Sequence, residues 1–187
     1  MAEAMAIIAA EGVEKLSLRE VARRLGVSHQ APYKHFPSRD HILAEIVARA
    51  FGDFARHLDA HPQSADADAD LGRMGVAYLG YAISHPLEYR LMFGTPLPPG
   101  EDHPEMMRQA RHAFALLCEG LRRRAVARGT SPGEDAIRLD ALFIWSCLHG
   151  LAAIRSSAAA ATLGLPASVM EASPGHVLGR IGDALGR

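Results

Sequence analysis

A single glycine between two short helical runs, with space for a turn and nothing more, is the feature that most limits what this chain can fold into. Leu18, Val21, Ala22 and Leu25 recur at helical spacing, and Gly26-Val27 separates them from a second run that opens at Ser28. Ser17-Leu18-Arg19-Glu20 is a capping box, in which each side chain can accept from the other residue's backbone N–H, and Leu16 and Val21 are placed to staple the entry. Gly26 can take the left-handed conformation that ends a helix, Ser28 can cap the next at once, and the small Ala22 lets the two cross closely. Val21, Leu25, Val27 and Phe36 are the expected apolar anchors. The pattern is that of a helix-turn-helix.

The rest of the chain has to be built from the same kind of element. It holds 33 Ala and 21 Leu against 8 Val, 9 Ile and 3 Thr, which favours helices and starves strands. Caps and Gly or Pro breaks predict about nine helices: 2–10, 17–26, a short one at 28–35, then 38–61, 68–84, 86–93, 104–128, 132–157 and 174–185. Ser131-Pro132-Gly133-Glu134 reads as a second capping box, and Ser173-Pro174 repeats the cap-then-Pro device. The expected fold is all-α, with a three-helix helix-turn-helix head over residues 1–50 and a larger helical domain over 51–187.

Charge separates these parts. Lys15, Arg19, Arg23, Arg24, Lys34 and Arg39 face Glu20 alone between residues 15 and 39, a local excess of five positive charges, whereas the remainder carries 14 basic and 20 acidic residues. A net charge of -1 therefore hides an electrostatic footprint suited to phosphate, or else an ordinary basic helix face.

Other chemistries fit poorly. The sequence has no nucleophile elbow, phosphate loop or dinucleotide fingerprint, so no enzyme and no cofactor is expected. The run Asp66-Ala67-Asp68-Ala69-Asp70 begins like a calcium loop but places Leu71 where glycine is needed and Ala77 where glutamate is needed; it suits the positive end of a helix instead. His57 and His61 have i, i+4 spacing without further ligands, so no metal site is expected. Cys118 and Cys147 read as reduced core thiols. The first ten residues lack the basic start of a secretory signal, and the apolar run 141–154 is shorter than the roughly 20 residues a bilayer requires, so the expected location is cytoplasmic, without a membrane.

Leu16-Ser17-Leu18-Arg19-Glu20-Val21-Ala22, Leu25-Gly26-Val27-Ser28 and Tyr33-Lys34-His35-Phe36-Pro37-Ser38-Arg39 together resemble the N-terminal signature of the tetracycline-repressor (TetR) family of bacterial regulators, over about residues 4–51. The resemblance implies that His29, Gln30 and Ala31 face base edges in the major groove, where Gln can pair with adenine and a methyl can meet thymine. It places Ser17, Ser28, Tyr33, Lys34, His35 and Arg39 near the DNA backbone, and Arg19 near backbone or base. Tyr33 and His35 keep a second reading, as packing between the third and fourth helices. Nothing before Lys15 is basic, unlike the family's usual arm, so minor-groove contacts are not expected and the chain as given is expected to start late.

For the C-terminal part the resemblance implies a small-molecule effector site and a homodimer through the last two helices, meeting a near-palindromic double-stranded operator. Residues 136–153 are apolar on nearly every side, as a helix buried between a pocket and a partner would be. Candidate pocket residues are Met74, Tyr78, Tyr81, Tyr89, Met92, Phe93, Phe114, Cys118, Trp145 and His149, each also readable as plain core. Trp145 and His149-Gly150, with His85-Pro86 and 89–94, resemble a subgroup whose C-terminal region carries a Trp to His-Gly pattern. The expected function is a repressor released by an apolar or aromatic ligand. The alternatives are a ligand-independent DNA- or partner-binding protein and a metal-responsive regulator. The loop 94–103 is either a gate or a connection.

Overall fold

Ser17 opens the second helix as its spacing requires: the Glu20 N–H donates to Ser17 Oγ at 3.1 Å. Gly26 closes it in the left-handed conformation, φ 66° and ψ 25°, while the Val27 N–H reaches back to the Ala22 carbonyl at 3.1 Å. The computed structural model describes residues 1–157 and 159–186, and among them no strand occurs. The described residues form eight helices of eight residues or more: α1 (Ala2–Glu11), α2 (Leu18–Leu25), α3 (Arg39–Leu58), α4 (Ala67–Ser84), α5 (Pro86–Phe93), α6 (Pro104–Ala127), α7 (Glu134–Ser156) and α9 (Ala167–Leu185). A single-turn α8 (Ala159–Thr162) lies between the last two.

Three expected helix starts are corrected. Residues 28–35 form turns and a 3-10 turn at Pro32–Lys34 rather than an α-helix. Pro32 has no N–H for the Ser28 carbonyl, which accepts instead from the Ala31 N–H at 3.0 Å. Ser131 caps nothing at α7; Gly133 is the N-cap, and the Glu134 carboxylate is held by Arg122 at 2.7 and 2.9 Å. Pro174 lies inside α9, and the Met170 carbonyl that its missing N–H leaves open accepts from the Ser173 hydroxyl at 2.8 Å and from the Arg155 guanidinium.

The chain forms two units that interleave in sequence: residues 1–52 with 87–110, and residues 53–86 with 111–187. The first break lies close to the expected division at 50, but the stretch from Leu87 to Ala110 returns to the first unit. That unit's core joins Ile7 and Ile8 of α1, Leu18, Val21 and Ala22 of α2, and Ile42 and Val47 of α3 to Leu91, Met92 and Met106. Phe51 meets Phe93 edge-on at 5.5 Å. Leu25 and Val27, expected as anchors, are 56% and 46% exposed, because they lie past the end of the Leu18/Val21/Ala22 stripe.

In the second unit α4, α7 and α9 pack together. Ile137, Ala141, Ile144, Leu148 and Ala152 form the buried stripe of α7, at spacings of three and four. Gly75 lets α4 approach α9, since a Cβ there would lie 2.4 Å from Leu178 Cδ2. The opposite side of α7 is apolar and open: Leu139 is 67%, Leu142 50% and Phe143 43% exposed. At 23 residues α7 is long and apolar enough to cross a membrane by length and composition, beyond what the run 141–154 suggests, yet its first two turns carry Glu134, Asp135, Arg138 and Asp140.

Candidate nucleic-acid interface and effector site

The segment after Gly26 is displayed rather than buried. Ser28, His29, Gln30, Tyr33, Lys34 and His35 are exposed and Ala31 is half-buried, while Pro32 alone anchors the turn in the core. Backbone bonds from Lys34 N–H to Ala31 O (3.3 Å) and from Phe36 N–H to Pro32 O (2.9 Å) hold its shape. The proline that breaks the helix therefore pins a short, stiff loop whose polar side chains point outward.

The six basic residues of this region divide into two groups. Arg23 and Arg24 bind Glu20, and Arg24 also bridges to Glu3 and Glu11 of α1, so it fastens α1 to α2. These two guanidinium groups hold the Glu20 carboxyl down at about 2. Arg39 donates to the carbonyls of Leu16 (3.1 Å) and Val13 (2.8 Å), closing the 3-10 turn at Val13–Lys15, and also pairs with Asp40. Lys15, Arg19 and Lys34 are exposed and make no ion pair among the described residues. Ser17 is occupied as a cap. Of the charge excess, then, Lys15, Arg19 and Lys34 are the cations free to meet phosphate.

The ten pocket candidates separate into different surroundings. Tyr89, Met92 and Phe93 belong to the first unit, where Tyr89 and Phe93 pack at 5.0 Å. In the second unit, Trp145 and His149 sit one turn apart on α7 and meet Tyr78 of α4: Trp145 Nε1–H donates to Tyr78 Oη at 3.2 Å, and Tyr78 Oη lies 3.4 Å from His149 Nδ1. Phe114 faces Trp145 at 5.9 Å. Burial depresses the His149 pKa, favouring the neutral ring, whose Nδ1 can accept from the Tyr78 hydroxyl. Donation then runs from Trp145 to Tyr78 to His149.

Tyr81, almost fully buried, stacks on His85 at 4.3 Å and meets His57 edge-on at 5.5 Å. His57 thus sits with Tyr81 and His85 (6.4 Å), a grouping its sequence spacing to His61 does not suggest. Among the described residues no group of three or more His, Cys, Asp or Glu is placed to hold a metal. Cys118 is buried, which raises its thiol pKa. Met74 lines a separate small cleft. Phe54, absent from the sequence candidates, packs against both Tyr78 (5.3 Å) and Tyr81 (5.1 Å); the spacing of Phe51, Phe54 and Leu58 on one helix is the signal that marks it.

A pH dependence follows. Because the folded state depresses the His149 pKa, its contribution is present above the ordinary histidine value near 6.5 and is lost as pH falls below it. Asp70, held at about 2 by the Ser64 hydroxyl, the Ser64 backbone N–H and Arg123, contributes above the usual carboxylate range and is lost on falling from about 4 towards 2. Melting temperature against pH should therefore drop in two steps. His149→Gln should remove the first and leave the second; a first step that survives this substitution contradicts the assignment.

Two family models match the chain: "Bacterial regulatory proteins, tetR family" over residues 1–46 and "Tetracyclin repressor-like, C-terminal domain" over residues 71–174. The HTH-type transcriptional regulator Rv1816 of Mycobacterium tuberculosis is 33% identical over 90 residues, which span 46% of this chain and 38% of that protein. Rv0681 of the same organism, also an HTH-type transcriptional regulator, is 29% identical over 79% of this chain and 64% of its own length. Among solved structures, the regulatory protein SCO4313 superimposes with a TM-score of 0.74 at 28% identity, covering 95% of this chain and 92% of that one. The TetR family regulator PfmR of Thermus thermophilus superimposes with a TM-score of 0.62 at 26% identity, covering 80% and 82%. With its head and its C-terminal region both matched and the displayed loop in place, the chain belongs to the TetR family of bacterial transcriptional regulators.

Proposed function

We propose that the protein is a cytoplasmic homodimeric repressor that leaves a near-palindromic operator when a small apolar or aromatic effector binds its C-terminal region. The observation that carries the DNA half of this reading is the Pro32-pinned loop, which displays His29, Gln30 and Ala31 beside the unpaired cations Lys15, Arg19 and Lys34. His29, Gln30 and Ala31 read base edges. Ser28, Tyr33, Lys34 and His35 position the head on the backbone, while Ser17 and Arg39 do so through the turns they stabilise.

The exposed apolar side of α7, with Val169 of α9, supports pairing through the last two helices as a C2 dimer. The Tyr78–Trp145–His149 centre, walled by Phe114, supports an effector that combines an aromatic or apolar body with a hydrogen-bonding group, as the Trp to His-Gly subgroup pattern suggests. The effector acts by favouring one separation of the two heads, with α3 as the continuous element that carries the change.

Two substitutions separate reading from positioning. Gln30→Ala should cost about 1 to 3 kcal/mol on the preferred operator and little on scrambled DNA. Lys34→Ala should weaken both alike and reduce the salt slope by about one. Anisotropy titrations over a series of salt concentrations measure both, and equal loss on every sequence from the two variants would defeat the division.

A further inference from the structure

Lys15 is not among the residues that the family signature places on DNA, yet its backbone is held with unusual care. It ends the single 3-10 turn Val13–Lys15, entered through Gly12 at φ 93° and closed by two backbone bonds, Lys15 N–H to Gly12 O and Leu16 N–H to Val13 O, both 3.2 Å. A lone turn of this kind has poor hydrogen-bond geometry and little stability of its own. Val13 and Leu16 bury their side chains in the core and leave Glu14 and Lys15 outside. Glu14 turns back over Gly12, where its Oε2 would lie 2.9 Å from a Cβ, and no ion pair joins it to Lys15 among the described residues. The turn is fastened from 24 residues away. Arg39, the first residue of α3, donates from Nη2 to the Val13 carbonyl at 2.8 Å and from Nε to the Leu16 carbonyl at 3.1 Å, so its planar fork brackets Glu14 and Lys15. Its Nη1 faces the Asp40 carboxylate at 3.3 Å, which offsets the arginine's charge; nothing offsets that of Lys15 in the same way.

We propose that Lys15 is a DNA phosphate contact and that Arg39 is the positioning residue that holds it there, rather than a phosphate contact itself. The inference rests on the DNA-binding reading above and adds to it a ligand for the backbone and the residue on which that ligand depends. Bonds from a charged donor are about twice as strong as neutral ones, so the fork supplies the support that a three-residue turn lacks. With the Lys15 backbone fixed by Arg39 on one side and by the Ser17 cap two residues on, meeting a phosphate orders only the lysine side chain. A lysine at position 39 would keep the charge and lose the fork, which makes the two roles separable.

The test uses the full chain and a duplex of arbitrary sequence, titrated by anisotropy over a series of salt concentrations. Lys15→Gln should lower the salt slope by about one and weaken binding by about eightfold at about 0.1 M salt, the factor that the counterions of one phosphate supply relative to about 1 M. Arg39→Lys should give most of the same loss in slope and affinity, and the double variant should lose no more than Lys15→Gln alone. In the free protein, hydrogen exchange at the Lys15 and Leu16 amides should quicken in Arg39→Lys, while the Val27 amide, which bonds the Ala22 carbonyl, keeps its protection and reports that the head is folded. Wild-type binding by Arg39→Lys, losses that multiply in the double variant, or an unchanged slope in Lys15→Gln would each overturn the proposal. Unchanged exchange in Arg39→Lys would overturn the clamp without reference to DNA. Wild-type protein that binds no duplex would contradict the DNA-binding reading itself, and the Lys15 contact with it.

Discussion

Leu142→Glu combined with Phe143→Glu is expected to convert the protein to a monomer and to lower operator affinity by about 100-fold or more, the loss that follows when two linked heads no longer share one site. The side chains are 50% and 43% exposed in the single chain, on the side of α7 opposite the Ile137–Ala152 stripe. Charge placed there leaves that stripe packed, so the melting temperature of the monomer should depend little on the glutamates themselves. In a C2 interface each substitution acts twice and sets carboxylates against each other across the axis. Light scattering after size exclusion measures the mass, and anisotropy measures the affinity. A variant that remains dimeric would place the interface elsewhere.

Phe54→Ala is expected to give the largest loss of stability, about 3 to 5 kcal/mol, as for a buried phenylalanine whose cavity stays partly open. Phe54 is 3% exposed and supports both Tyr78 and Tyr81, so its removal leaves two aromatic rings without a wall. For a domain of this size the loss corresponds to a fall in melting temperature of about 6 to 20 °C. Because Tyr78 joins Trp145 to His149, the effector response should weaken further than the stability alone requires, whereas DNA binding measured well below the new melting temperature should persist. A fall of a degree or two would mean that the site closes over the missing ring.

What the sequence made legible was local chemistry. Ser17, Gly26 and Ser38-Arg39 mark their helix boundaries because a cap or a left-handed turn is decided within four residues. Trp145 and His149 could be paired from their spacing alone. Pro174 misled because the cost of a proline inside a helix depends on what takes its orphaned carbonyl, and Arg155, 15 residues away from Met170, does so here. The same limit hid the roles of Arg24 and Arg39. Both look like phosphate ligands by composition, and both spend their donors on groups remote in sequence: Glu3 and Glu11 for one, Val13 and Leu16 for the other. The return of Leu87–Ala110 to the first unit, which takes Tyr89, Met92 and Phe93 away from the second, is set by which apolar faces find each other, and periodicity names a face without naming its partner.

On the proposed function, the exposed loop reads a two-fold DNA site. The most direct test of this is selection of fragments from random DNA by the purified protein at near-physiological salt, followed by anisotropy titration of the winning sequence. The expected result is a palindromic winner whose half-sites are about one helical turn apart and whose affinity exceeds that for scrambled DNA by at least about 1,000-fold. Enrichment of no sequence, by a sample shown to be dimeric, or binding that is the same for every fragment, would contradict it.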